Sequence, residues 1–249
     1  MNTFAPALVL TGVTYQYPGS QTPSLRNINL SLPAGARVVV VGPNGSGKST
    51  FFLHLNAILK PRAGQIAVAG QPIRYNPPGV RQVRQQVGLV FQNPEDQLLS
   101  ASVAQDISFG PLNLGLSQAE ARRRVNEVAE LCQVSDLLDR PTHALSIGQK
   151  MRVALAGVLA MQPAILVADE SLAMLDPWMQ QRMIDLFDQL ARGGKTILLA
   201  THDLFLARHW PDLIVVMNGG QILACDTPAS IFADRDLMRH LGPMERWKW

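Results

Sequence analysis

The chain has 249 residues, of which 47% are apolar and only 16% charged, against about 25% charged in an average soluble domain. That length is ample for a buried core, and the composition excludes a disordered or collagen-like chain. The net charge of +3 is uneven: residues 1–94 hold eight Lys or Arg and no Asp or Glu, leaving 14 basic and 19 acidic residues, or −5, for the remainder. Such a field suits a nucleotide, a nucleic acid or an acidic protein face, and drift over a solvated surface produces the same imbalance.

In chain order, the opening MNTFAPALVL lacks the positive n-region of a secretory signal. LVLTGVTYQYP and INLSL alternate as strands, with turns at Pro18-Gly19 and Pro33-Ala34-Gly35, which predicts an N-terminal antiparallel sheet. Arg37–Val41 is apolar on both faces, as a central parallel strand is, and a glycine-rich turn and an apolar-faced helix follow. Similar buried strands are expected at residues 87–91, 165–168 and 196–200, with helices between several of them, including 179–191. The pattern is that of a layered α/β core.

Between residues 91 and 145 the periodicity turns helical and predicts an inserted helical subdomain. Ser117-Gln118-Ala119-Glu120 reads as a capping box, after which Ala121, Val125, Val128 and Cys132 share one face. Arg122, Arg123 and Arg124 are expected in solvent. Residues 222–249 read as a strand and short helices. The longest nearly unbroken apolar run, 153–161, has nine residues, whereas a membrane-crossing helix needs about twenty. Cys132 and Cys225 lack metal or redox spacing, which fits a reducing cytoplasmic setting.

Gly42-Pro43-Asn44-Gly45-Ser46-Gly47-Lys48-Ser49-Thr50 matches G-x-x-x-x-G-K-[ST] in the context its mechanism requires, between a buried strand and a helix. The glycines let backbone N–H groups face a β-phosphate, and the helix N-terminus adds about half a positive charge. Lys48 then reaches the β/γ oxygens and Ser49 can ligate Mg²⁺. The strand at 165–168 runs into Asp169 and Glu170. Asp169 can hold Mg²⁺ through its water shell, while Glu170, one residue farther out, can polarise a water for in-line attack on a γ-phosphate. The strand at 196–200 likewise runs into Thr201-His202-Asp203, which brings an imidazole to the same sheet edge, in reach of a γ-phosphate.

Taken with Gln92 and with Leu145-Ser146-Ile147-Gly148-Gln149 before a helix, these motifs resemble the nucleotide-binding domain of ATP-binding-cassette (ABC) proteins over nearly the whole chain. The resemblance implies an α/β fold with a RecA-like P-loop core, an N-terminal antiparallel β-subdomain and an inserted helical subdomain. It divides a single domain, 1–249, into a β-subdomain and P-loop part (1–92), a helical part (93–147), the rest of the core (148–217) and a C-terminal strand with short helices (218–249). It further implies that Tyr17 stacks on adenine, although an edge-strand tyrosine also covers apolar surface. Gln92 would join Ser49 and Asp169 around Mg²⁺, with Glu170 and His202 catalytic. Ser146, Ile147, Gly148 and Gln149, with Asp176 of the D-loop, would contact ATP held by a second ATPase, identical or different.

Phe91-Gln-Asn-Pro-Glu-Asp-Gln97, Ile107-Ser-Phe-Gly-Pro-Leu-Asn-Leu-Gly115 and Ala156-Gly-Val-Leu-Ala-Met161 are similar to ATPase subunits of energy-coupling-factor (ECF) micronutrient importers. Phe52-Leu-His-Leu-Asn-Ala-Ile-Leu-Lys-Pro61 is similar to the cobalt and nickel branch. The resemblance thus implies an ATP- and Mg²⁺-dependent ATPase, peripheral on the cytoplasmic face of the membrane, that energises integral membrane partners and binds no nucleic acid directly. The rival readings are a subunit of another ABC importer or exporter, a soluble cassette acting on nucleic acid or ribosomes, and an ATP-binding scaffold deficient in turnover.

Two segments depart from the family pattern. The signature ordinarily reads Ser-Gly-Gly-Gln, and Ile147 replaces its first glycine. The β-branch restricts the backbone there, and its volume can hold a facing phosphate away. Where the family has Pro-Thr-Ala-Gly-Leu-Asp after the glutamate, this chain has Ser171-Leu172-Ala173-Met174-Leu175-Asp176. Both segments face the partner ATPase in the family, so independent drift and coupled repacking of an interface each account for them.

Overall fold

The computed structural model describes residues 6–241. The first five residues and the tail from residue 242, part of the stretch expected to hold short helices, lie outside it. Strands β1 (Pro6–Tyr15) and β2 (Leu25–Pro33) pair antiparallel; β3 (Arg37–Val41) leads through the glycine-rich turn into α1 (Lys48–Leu55). β4 (Ala63–Val68) and the two-residue β5 (Gln71–Pro72) complete a four-stranded antiparallel sheet in the order β2-β1-β4-β5. Then come α2 (Pro77–Gln86), β6 (Val87–Val90), α3 (Val103–Asn113), α4 (Gln118–Leu131) and α5 (Ile147–Ala160). The core resumes with β7 (Ile165–Asp169), α6 (Pro177–Arg192), β8 (Thr196–Ala200) and α7 (Leu204–His209). It closes with β9 (Leu213–Asn218), β10 (Gln221–Asp226), α8 (Pro228–Ala233) and α9 (Arg235–Leu241).

The second sheet runs β10-β9-β3-β8-β7-β6, parallel except where β10 returns against β9. Its side chains alternate between two cores, as the two-residue repeat of a strand demands. Val38 and Val40, with Ile165, Val167, Leu198 and Ala200, meet α1 and the antiparallel sheet. Val39 and Val41, with Leu166, Ala168, Ile197 and Leu199, meet the helical layer. Apolar runs on both faces are therefore required by burial on both faces. At the base, the Arg37 guanidinium bridges Asp188 and Asp212 at 3.0 and 2.8 Å, and Trp210 Nε1 donates to Asp188 at 2.9 Å, tying α6 to the start of β3.

Several expectations need adjustment. The strand expected through Phe91 stops at Val90, and the helix expected over 179–191 runs Pro177–Arg192, started by Asp176, whose carboxylate accepts from Met179 N at 3.0 Å. Ser117 caps α4 by accepting from Glu120 N, but the reciprocal half of the box is absent: the Glu120 carboxylate pairs with Arg123 and Arg124 instead. Arg124 is not solvated as expected, because its stem is mostly covered and Nη1 donates to the Ala160 carbonyl at the end of α5. Helix α5 packs on α3, α4 and β6. Gly88 in β6 permits this, since a Cβ there would stand 2.3 Å from Val158 Cγ1. No helix among the described residues is long and apolar enough to cross a membrane.

Candidate functional site

The parallel register sets the ends of β3, β7 and β8 level: Val40 pairs with Ala200, and Ala200 with Asp169. Each chain segment leaving this edge carries a polar group of the predicted site. Ligands of open α/β sheets bind at such an edge.

From β3 the chain enters the phosphate loop. Gly47 occupies the N-cap of α1 at φ 105°, and a Cβ on it would lie 2.7 Å from the Ser24 carbonyl, so only glycine fits this turn. The first-turn N–H groups of α1 point out of the helix end, and no acidic side chain occupies that turn. Lys48 is buried, with Nζ donating to the carbonyls of Gly42 at 2.9 Å and Pro43 at 3.3 Å. Asn44, Gly45, Ser46, Gly47, Lys48, Ser49 and Thr50 line one cavity of about 500 Å³ together with Gln92, Glu170 and His202. Ser24 lines it too; sequence reasoning missed it, since nothing in a lone serine before β2 marks it.

Glu170 is the hub. It has a left-handed backbone, φ 48°, a conformation that costs a non-glycine residue on the order of 1–3 kcal/mol. The turn aims its carboxylate back into the cavity, where Oε1 lies 2.7 Å from His202 Nε2 and 3.6 Å from Lys48 Nζ. Gln92 Nε2 donates to Oε2 at 3.0 Å. Three strand ends and the phosphate loop thus converge on a single carboxylate.

Asp169 sits behind it, buried as the last residue of β7, with the Ser49 side chain near its carboxyl. Its Oδ1 has no partner among the described residues. Burial is the main cause of a raised Asp169 pKa, helped by the Glu170 charge and opposed by Ser49 and Lys48. Tyr17 does not itself line the cavity; it is 38% exposed, with its hydroxyl 3.3 Å from Oγ1 of Thr50, which does line it.

The remaining predicted residues do not reach this cavity. Ser146 and Gln149 form a reciprocal capping box at the start of α5, with Ser146 N donating to Gln149 Oε1 at 2.9 Å and Gln149 N to Ser146 Oγ at 3.3 Å. Ile147 is 41% exposed and Met174 46%, and the residue next to Ile147 comes near the second segment: a Cβ on Gly148 would touch Leu175 Cδ2 at 3.5 Å and the Met174 carbonyl at 4.0 Å. The two segments that carry the departures from the family pattern therefore approach each other at Gly148. Trp178, 60% exposed with the Arg182 guanidinium 4.7 Å over its ring, stands two residues after Asp176 and was not singled out from sequence.

A consequence concerns stability. Because its pKa is raised on folding, the folded state holds the Asp169 proton more tightly than the unfolded state. Stability therefore falls as pH rises from the ordinary carboxylate value through the raised one. Without nucleotide or Mg²⁺, Asp169→Asn is expected to stabilise the protein at neutral pH by about 0.5–2 kcal/mol, a gain that disappears in acid. Thermal unfolding of both proteins across pH measures this, and an equal or lower midpoint for Asp169→Asn at neutral pH contradicts it.

The chain matches the ABC transporter family over residues 25–173. It is 45% identical over 230 residues to the energy-coupling factor transporter ATP-binding protein EcfA of Methanothermobacter thermautotrophicus, covering 92% of this chain and 74% of that one. It is 43% identical over 237 residues to the cobalt import ATP-binding protein CbiO of Rhodobacter capsulatus, covering 95% and 84% respectively. The solved structure of cbiO1 from Clostridium perfringens, described as part of the ABC transporter complex cbiONQ, superposes with a TM-score of 0.82 at 39% identity, covering 94% of this chain and 93% of that one. With a match over more than half its length and relatives this similar, the chain belongs to the ABC transporter family of ATP-binding, ATP-hydrolysing proteins.

Proposed function

We propose that this ATPase energises a membrane importer of the energy-coupling-factor type, carrying cobalt or nickel ions, by closing and reopening a pair of ATPase subunits around ATP. The observation that carries the reading is the convergence of Lys48, Gln92 and His202 on the Glu170 carboxylate at the mouth of the phosphate loop.

In this reading the backbone N–H groups of residues 44–47 and the start of α1 hold the β-phosphate, Lys48 spans the β/γ oxygens, and Tyr17 stacks on adenine. Glu170 takes the proton of the water attacking the γ-phosphorus in line, and His202 contacts the γ-phosphate. Ser49, the unpartnered Asp169 Oδ1 and the Gln92 amide form an oxygen donor set that fits Mg²⁺. That ion, when bound, supplies charge neutralisation of the β/γ oxygens. The cavity faces solvent, and Ser146 at the α5 N-terminus of a second ATPase, identical or different, covers it with the D-loop region around Asp176. Cleavage of the γ-phosphate breaks this bridge and lets the pair reopen.

The membrane partner is assigned to a mostly apolar groove of about 750 Å³. Ile58, Tyr75, Leu99, Phe109 and Met161 line it, with Arg81 and Arg84 on one side. Leu99 and Phe109 are 79% and 57% exposed and both line this one groove, the kind of contiguous apolar surface that partner sites offer. Gln97 also lines the groove, and its Oε1 accepts from Phe91 N at 3.1 Å, so a segment seated there pulls on the residue next to Gln92. The groove supports peripheral attachment to integral membrane subunits, and the cobalt-import relative supports the choice of ion.

Cells expressing the chain with its co-purifying membrane subunits are expected to accumulate radioactive cobalt or nickel, and uptake of neither excludes the metal branch. Glu170→Gln is expected to keep ATP affinity and lose about 10²- to 10⁴-fold in hydrolysis, as measured by phosphate release; full activity removes Glu170 as the base. Ile147 projects from the signature where it keeps a facing phosphate at a distance. Ile147→Gly is therefore expected to raise turnover in the assembled complex, and unchanged turnover removes Ile147 from the mechanism.

A further inference from the structure

Tyr17 does not stand alone beside Thr50 of the cavity wall. Its hydroxyl meets Thr50 Oγ1 at 3.3 Å, and its ring packs against Tyr15, with centroids 5.0 Å apart and planes at 86°. Tyr15 in turn packs edge-on against the His54 imidazole, centroids 4.7 Å apart at 73°. His54 closes the circuit, since its Nδ1 lies 2.7 Å from the Thr50 carbonyl. Thr50 and His54 share one face of α1, four residues apart, as helical geometry requires. Each of the four residues therefore touches two of the others, and the loop after β1 is fastened to the helix that opens the phosphate site.

His54 is an unexpected residue for this place. It is completely buried, and its Nε2 has no partner among the described residues. A carbonyl can only accept, so the proton sits on Nδ1 and Nε2 is left as a bare acceptor. Burial pulls the imidazole pKa down against the Thr50 bond and keeps the ring uncharged. A leucine would fill the same space without stranding a polar atom, which is costly in an apolar core. What leucine lacks is a ring for Tyr15 to meet and a second tether to Thr50. The tolerated cost points to the geometry of Tyr15 and Tyr17 as what His54 serves.

We propose that Tyr15 and His54 are positioning residues for base recognition, holding the Tyr17 ring in a fixed plane so that the adenine platform is pre-organised by the helix that also receives the phosphates. The proposal rests on the reading that Tyr17 stacks on adenine. A tyrosine held by its hydroxyl and by a ring neighbour has already lost the rotamer freedom that a free side chain loses on binding, and the base binds more tightly as a result. Phosphate binding needs none of this, because it depends on backbone N–H groups and Lys48. The two halves of the ATP molecule are therefore separable by mutation.

Calorimetric titration of the full chain with ATP and with inorganic tripolyphosphate tests this. Tyr15→Ala and His54→Ala are expected to weaken ATP binding about three- to tenfold, the worth of an aromatic pair and an ordered side chain. Tripolyphosphate affinity stays unchanged in both, which also shows that the phosphate loop is folded. His54→Phe, which keeps a ring against Tyr15 and removes the stranded nitrogen, retains most of the ATP affinity. Equal losses for ATP and tripolyphosphate, or a loss in His54→Phe as large as in His54→Ala, overturn the positioning role. Tyr17→Ala separates the two levels of the reading. If it weakens ATP binding and neither Tyr15→Ala nor His54→Ala does, stacking stands and the positioning role falls; if Tyr17→Ala leaves ATP affinity unmoved, stacking falls and the positioning role with it.

Discussion

A single carboxylate organises the site. Glu170 leaves the end of β7 in a left-handed conformation, and this turn directs its oxygens toward Lys48, His202 and Gln92. Without the parallel register that sets β3, β7 and β8 level, these groups would not share a cavity. The backbone strain is local, and the opposite ends of the strands, where Arg37 binds Asp188 and Asp212, hold the layers in place. The strained residue thus stands at the end of a strand buried and paired on both sides, which is the arrangement expected where geometry matters to chemistry.

Around that hub the molecule separates tasks by layer. The face of the sheet that meets α1 and the antiparallel sheet carries the phosphate loop, with Tyr15, Tyr17, Thr50 and His54 linked in one circuit beside it. The helical face carries the signature segment and one wall of the apolar groove. The route between them is short: Gln92 bonds Glu170, and Glu95, three residues on, pairs with Lys150 in α5, one turn from Ser146. The groove, the phosphate loop and the start of α5 are thus joined by direct side-chain contacts, without a flexible linker.

The family departures become interpretable only when placed. Ile147 and Met174 lie in different segments, yet the structure brings those segments together where Gly148 meets Leu175 and the Met174 carbonyl, with both larger side chains exposed. Nearby Trp178, with Arg182 stacked on it, adds a residue type that anchors interfaces.

Much of the fold was legible in sequence because its cues are local. The phosphate loop is a contiguous run whose glycines and lysine specify one turn, and the apolar runs at 165–168 and 196–200 declare strands buried on both faces. Local cues erred where a side chain had a stronger partner than its neighbour in the chain: Glu120 took arginines in place of the Ser117 backbone, and Arg124 found a carbonyl of α5. By itself, then, the sequence determined the phosphate cradle, the acidic strand end and the class of fold, since backbone conformation and the period of burial are encoded residue by residue. Only the tertiary structure decided that Glu170 is the meeting point, that His54 stands behind Tyr17 through Tyr15, and that a groove runs beside Gln97. Those contacts join positions far apart along the chain, and no short-range pattern records which distant side chains a packed sheet will bring within bonding distance.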